Sequence, residues 1–156
     1  MFSRIWNSYL APLLGRPAHV QIAALCYRQG NAGPEVLLIT SRTTRRWIIP
    51  KGWPVAGTDG TGTALEEAWE EAGVHRGGEA RRIGRYRYNK IVDGGLPVTT
   101  DVYVYAIRVI ELADTFPEMG ERERRWMHHD DAARVVEEPQ LKAILKDLPA
   151  LLEQAR

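Results

Sequence analysis

The chain has 156 residues, of which 44% are hydrophobic and 26% charged, and its formal net charge is +1. That length closes a single domain, residues 1–156, with a full core, and the composition is that of an ordinary soluble globular protein. The near-neutral balance argues against a charge-driven nucleic-acid partner, and no apolar run approaches the roughly 20 residues of a membrane span.

Residues 1–17 read as an N-terminal extension. They carry Arg4, Arg16, Trp6, Tyr9 and a short leucine-rich patch, but not the long apolar centre of a secretion signal. A short amphipathic helix that packs on the domain or on a second copy is the expectation, and with it a homodimer. Residues 19–28 and 35–40 are apolar strands separated by the turn-forming Gly30-Asn31-Ala32-Gly33-Pro34. The lone Cys26 lies in the first of them. It forbids an internal disulfide, suits a reducing, cytoplasmic setting, and reads as a buried structural thiol.

Residues 47–49 form a short strand leading into a loop, Gly52-Trp53-Pro54-Val55-Ala56-Gly57, whose glycines let backbone turn and approach a ligand. A helix follows over residues 64–72 and stops at Gly73. Asp59 and Thr63 compete for its N-cap, the latter through a capping box with Glu66. At about 100° per residue, Glu67, Glu70 and Glu71 share an arc of roughly 100°, while Leu65, Ala68, Trp69 and Ala72 face a core on the other side. Residues 80–91 and 99–110 read as a strand pair around Asp93-Gly94-Gly95, and Arg85 and Arg87 alternate there with Tyr86 and Tyr88. A strand over 123–128 leads to His128 and His129, read as surface residues. Helices are expected over 130–136 and 139–154, the second with Leu141, Ile144, Leu145, Leu148 and Leu152 at core or interface spacing. Strands interleaved with helices indicate a layered α/β fold.

Three crowded carboxylates repel, so a structure that keeps them ionised supplies a cation; oxygen-only ligands favour Mg²⁺ or Mn²⁺. Arg42, Arg45, Arg46 and Lys51 stand just ahead of the acidic helix, and arginine's planar fork suits phosphate.

From Gly52 the chain resembles the Nudix hydrolase signature, G-x5-E-x7-R-E-U-x-E-E-x-G-U, where U is aliphatic. Glu67, Ala68, Glu70, Glu71, Gly73 and Val74 fit in register. Thr58 stands where the family has its first glutamate and Glu66 where it has arginine, two side chains that commonly brace the loop against the helix. Both partners are changed together, which strands no charge and reads as a rebuilt brace. Residues 36–42 and 46–50, the strand from 99 to 110 and Trp126 are similar to diphosphoinositol polyphosphate and diadenosine polyphosphate hydrolases, with coverage over about residues 18–148.

The resemblance implies a mixed β-sheet sandwiched between α-helices. It implies a metal-dependent hydrolase that splits a pyrophosphate linkage in a small-molecule phosphoanhydride, either a diadenosine polyphosphate or a diphosphoinositol polyphosphate. Glu67, Glu70 and Glu71 would hold metal with the Lys51 carbonyl, and Glu70 or Glu71 would act on water. A glutamate beyond the box, Glu121 or Glu123, is a further candidate base. Arg46 is the first choice for substrate phosphate, followed by Arg42, Lys51, Arg45, Arg85 and Arg87. The competing readings are a catalytically weak nucleotide- or protein-binding module of the same fold, and an RNA 5′ pyrophosphohydrolase.

Overall fold

The computed structural model describes residues 19–56, 59–91 and 93–155. The expected N-terminal helix and Thr58 lie outside these residues. The elements, in chain order, are β1 His19–Gly30, β2 Gly33–Thr40, β3 Trp47–Ile48, β4 Lys51–Gly52, α1 Gly60–Ala72, β5 Ala80–Ile91, β6 Pro97–Arg108, β7 Arg124–His128, α2 His129–Val135, α3 Pro139–Lys146 and α4 Leu148–Gln154.

The sheet runs β3-β2-β1-β6-β5, with β4 paired to β1 and β7 to β2. It is mixed: β1 and β6 run parallel from His19 opposite Thr100 to Tyr27 opposite Arg108, and the other pairings are antiparallel. The period-2 alternation of β1 feeds two cores at once. Ala23 and Leu25 join Val36, Leu38, Tyr86, Val102 and Val104 under α2, α3 and α4. Ile22, Ala24 and Cys26 join Leu37, Ile39 and Ile107 under Ala64, Ala68 and Ala72 of α1. The sheet thus lies between α1 on one face and three short helices on the other, as expected. Cys26 is fully buried, and burial pushes its thiol up to about 12, consistent with an inert structural role.

Three features of the sequence reading change. The helix starts at Gly60, four residues earlier than its apolar spacing indicates, because Asp59 takes the N-cap and accepts from the Gly62 amide at 3.1 Å. Thr63, the competing cap, is buried inside the helix, and its hydroxyl accepts from the Val55 amide at 3.2 Å. The long C-terminal helix is two, α3 and α4, parted at Asp147; Pro149 in the first turn of α4 has no amide to continue the ladder. His129 is buried, not surface, with Nδ1 2.8 Å from the Leu145 carbonyl.

Candidate active site

Helix α1 carries the acidic cluster because its inner stripe is alanine. Ala64, Ala68 and Ala72 are completely buried, and such small side chains bring the helix close to the sheet. The carboxylates therefore do not stand on an outer, solvated face: Glu67 is 2% and Glu71 6% exposed, while Glu70 is half-buried. Gly73 closes the helix in the left-handed region at φ 71°, its amide donating to the Trp69 carbonyl at 3.0 Å and the Val74 amide to Ala68 at 3.1 Å.

The short strand β4 sets what Glu67 meets. Gly52, opposite Ile22 of β1, lies so close that a Cβ there would overlap the Glu67 carboxylate. Glycine is thus required by close approach rather than by a special φ. Glu71 hydrogen-bonds Glu67 and lies 3.6 Å, through Oε1, from Arg122 Nη2. Burial raises the Glu71 carboxyl above its ordinary range and Glu118 adds to that, while Glu67, Arg122 and Lys51 pull it down.

These residues open into a cleft of about 330 Å³. Glu67, Glu71 and Gly52 line it with Glu118, Arg122, Lys51, Lys90, Arg42 and Trp53. The glutamate from beyond the helix that reaches the cleft is Glu118, whose amide donates to the Glu70 carbonyl at 3.0 Å. Glu121 instead pairs with Arg42 at 3.4 Å, and Glu123 is exposed, its backbone tied to Thr40. Sequence reasoning missed Glu118, Arg122 and Lys90; the turn that brings Glu118 and Arg122 back to α1 has no periodic signal.

The expected phosphate-binding cations divide. Arg42 and Lys51 line the cleft. Arg45, at φ 56°, donates to the Glu121 carbonyl at 2.8 Å. Arg46 is not among the cleft residues: it grips Glu138 at 2.9 and 3.4 Å and lies 3.6 Å from Glu137. Arg85 and Arg87 are exposed and also stand apart from the cleft, Arg87 paired with Asp101 at 2.7 Å. Their alternation with the aromatics holds, since Tyr86 is buried and Tyr88 donates to Gln21 Oε1 at 2.6 Å.

The donor set fits a hard divalent cation. Two buried carboxylates in hydrogen-bond contact, with a third one turn away and no thiol or imidazole among them, present oxygen ligands only. The three are not gathered as tightly as His128, His129 and Asp130, whose potential ligand atoms lie within 4.8 Å of one another. That second group already has structural work: His128 Nδ1 accepts from the Asp130 amide, its Nε2 faces the Ala32 carbonyl, and His129 Nδ1 faces Leu145.

Among the described residues Glu66 is paired on the helix side, and its family partner position, Thr58, lies outside them. Arg76 grips Glu66 at 2.9 and 3.1 Å, and the same guanidinium lies 5.0 Å over the Trp69 ring.

An acidic helix laid against a glycine strand at the edge of a mixed, helix-covered sheet is the arrangement of a Nudix domain. The NUDIX domain family matches residues 17–148, and the chain belongs to the Nudix hydrolase family. Members of that family generally use divalent metal ions and act on small-molecule phosphoanhydrides. Human diphosphoinositol polyphosphate phosphohydrolase 3-alpha is 31% identical over 117 residues, 74% of this chain and 67% of that protein. The bovine 3-beta form is 30% identical over the same length. A binary complex of Ap4A hydrolase from C. elegans superposes with a TM-score of 0.64 at 19% identity, over 86% of this chain and 98% of that one. The NUDIX domain of Shewanella oneidensis NrtR complexed with ADP ribose gives 0.65 at 13% identity, over 97% and 99%. At such identities the two structures show the shared fold. Among the described residues no helix is long and apolar enough to cross a membrane.

Proposed function

We propose that this chain hydrolyses a pyrophosphate linkage with Mg²⁺ or Mn²⁺, in a diadenosine polyphosphate or a diphosphoinositol polyphosphate. The observation that carries this reading is the buried Glu67–Glu71 pair seated against Gly52 and opening into a cleft that also holds Lys51, Lys90 and Arg42. The diphosphoinositol class is that of the curated relatives, and the diadenosine class that of the Ap4A hydrolase whose fold this chain shares. Glu67, Glu70, Glu71 and the Lys51 carbonyl are assigned to the divalent ion, which when bound offsets phosphate charge and lowers the pKa of water. Glu70 or Glu71 orients the attacking water and takes its proton, and Glu118 supplies a further carboxylate at the cleft. Arg42 and the Lys51 ammonium meet substrate phosphate. The near-neutral charge supports a small-molecule substrate over nucleic acid, and the single buried Cys26 supports a cytoplasmic setting. A homodimer through residues 1–17 is checked by sedimentation of the full chain against one lacking them.

A screen of dinucleoside polyphosphates, nucleotide sugars and inositol pyrophosphates, each with and without Mg²⁺, tests the reading. Metal-dependent release of phosphate or nucleotide is the expected result. No turnover on any of them, with binding retained, would leave a non-catalytic module of the same fold.

A further inference from the structure

Among the described residues Arg45 is the only one besides glycine with a positive φ, 56°. An L side chain in the left-handed region crowds its own backbone, and arginine has no short polar group that offsets this as asparagine's does. Such strain persists only where the surroundings impose it. Ser41 closes the loop: its amide donates to the Arg46 carbonyl at 2.8 Å, its carbonyl accepts from the Arg45 amide at 3.2 Å, and its hydroxyl accepts from the Arg46 amide at 3.1 Å. None of these bonds uses the Arg45 side chain. Glycine would hold the same turn without strain, so closing the turn does not account for an arginine here.

The side chain leaves its own loop. Its Nη1 donates to the Glu121 carbonyl at 2.8 Å, and the Glu121 carboxylate lies 3.4 Å from Arg42 Nη1. Glu121 in turn closes its own turn, its amide donating to the Glu118 carbonyl at 3.0 Å. Two cleft-lining segments are thereby joined: Ser41, Arg42, Thr43 and Thr44 between β2 and β3, and Glu118 with Arg122 ahead of β7.

We infer that Arg45 is a positioning residue: it straps the 41–46 loop to the 118–122 turn and so holds Arg42 at the cleft for a substrate phosphate. This rests on the assignment of Arg42 to phosphate under the proposed function and names what keeps it in place. The two contacts with Glu121 differ in kind. The Arg42 pair is exposed and long, so a phosphate displaces the carboxylate readily. The Arg45 bond is shorter and ends on a backbone carbonyl, so the loop stays docked while Arg42 changes partner.

Arg45→Gly removes strain and strap together, which sets stability against binding. Its melting temperature should equal or exceed that of wild type, while KM for diadenosine tetraphosphate rises on the order of tenfold and kcat changes less than about threefold. Arg45→Lys, which keeps a donor that reaches the carbonyl, should recover most of the KM. A lower melting temperature for Arg45→Gly with KM unchanged would make Arg45 a packing residue and overturn the inference. A double-mutant cycle separates positioning from direct contact. In an Arg42→Ala background, Arg45→Gly should raise KM no further; additive effects would mean that Arg45 meets the phosphate itself, and would overturn the strap. Calorimetric titration of inorganic tripolyphosphate reads the same step without turnover and should show the same pattern of affinities. Equal affinity in wild type and Arg45→Gly, or none in either, would overturn it. If wild type hydrolyses no phosphoanhydride but the binding pattern holds, the catalytic reading fails and the strap stands.

Discussion

Arg122 lies between Glu71 of the acidic helix and Glu118 of the following turn, its Nη2 3.6 Å from Glu71 Oε1 and its Nε 3.0 Å from Glu118 Oε1. Its side chain is only 8% exposed, and Nη1 donates to the Thr40 carbonyl at 3.2 Å. Removing one member of a buried ionic group strands the others, at a cost on the order of 3 kcal/mol. Arg122→Gln should therefore lower the melting temperature of the metal-free protein markedly. Saturating Mn²⁺, a cation for the same carboxylates, should recover a large part of that loss. Equal destabilisation with and without Mn²⁺, read by differential scanning fluorimetry, would show that Arg122 serves packing alone.

Glu70→Gln and Glu71→Gln should each lower kcat at least on the order of 100-fold while the fold survives, since charge is removed and side-chain size kept. Circular dichroism together with steady-state kinetics checks both halves. Activity of both variants within a few fold of wild type would remove the carboxylate helix from the mechanism.

Arg46 is expected to matter for stability more than for substrate. Its partner Glu138 is only 6% exposed, so Arg46→Ala should cost on the order of 3 kcal/mol and change KM less than about twofold. The pH dependence has a definite sign. Burial pushes the Glu138 carboxyl up, but the Arg46 hydrogen bond and charge prevail and hold it below its ordinary value of 4.5. A carboxyl depressed by folding stabilises the native state above pH 4.5 and loses that contribution as pH falls through its folded value. The melting-temperature gap between wild type and Glu138→Gln should be widest at pH 7 and close in acid.

Glu66 and Arg76 are partly exposed, 39% and 54%, so their pair is expected to be worth about 0.5 kcal/mol. Glu66→Arg would set two guanidinium groups against each other, and adding Arg76→Glu should restore what it loses. A double-mutant cycle in urea measures this. A coupling of zero would mean that the pair has no energetic weight.

Spacing alone was enough to place Glu67, Glu70 and Glu71 on one arc and to stop the helix at Gly73. It could not show that two of those carboxylates are buried, because helical periodicity gives an angle and says nothing of what lies opposite; here that is Gly52, on a strand of two residues too short to leave a pattern. Asp59 against Thr63 was likewise open, since either side chain can cap, and the choice falls to the Val55 amide that occupies the Thr63 hydroxyl. The resemblance and a basic neighbourhood point Arg46 at phosphate, while Glu138, which pairs with it, stands 92 residues further along the chain and leaves no local sign. Nothing local distinguishes Glu118 from Glu121 and Glu123 either. The strands were the most legible part: β5 has the bounds read from its alternation, because both of its neighbouring segments end in turn residues.

The parallel pairing of β1 with β6 also governs when the site can exist. His19 meets Thr100 and Tyr27 meets Arg108 only after the whole of α1 and β5 has been made, so the central sheet pays a long loop closure before its contacts return anything. During synthesis the acidic helix emerges with its alanine stripe facing an unfinished sheet and its carboxylates unscreened. A nascent chain stopped before residue 97 should gain no protection from Mn²⁺ against proteolysis, and one released after residue 128 should gain it abruptly.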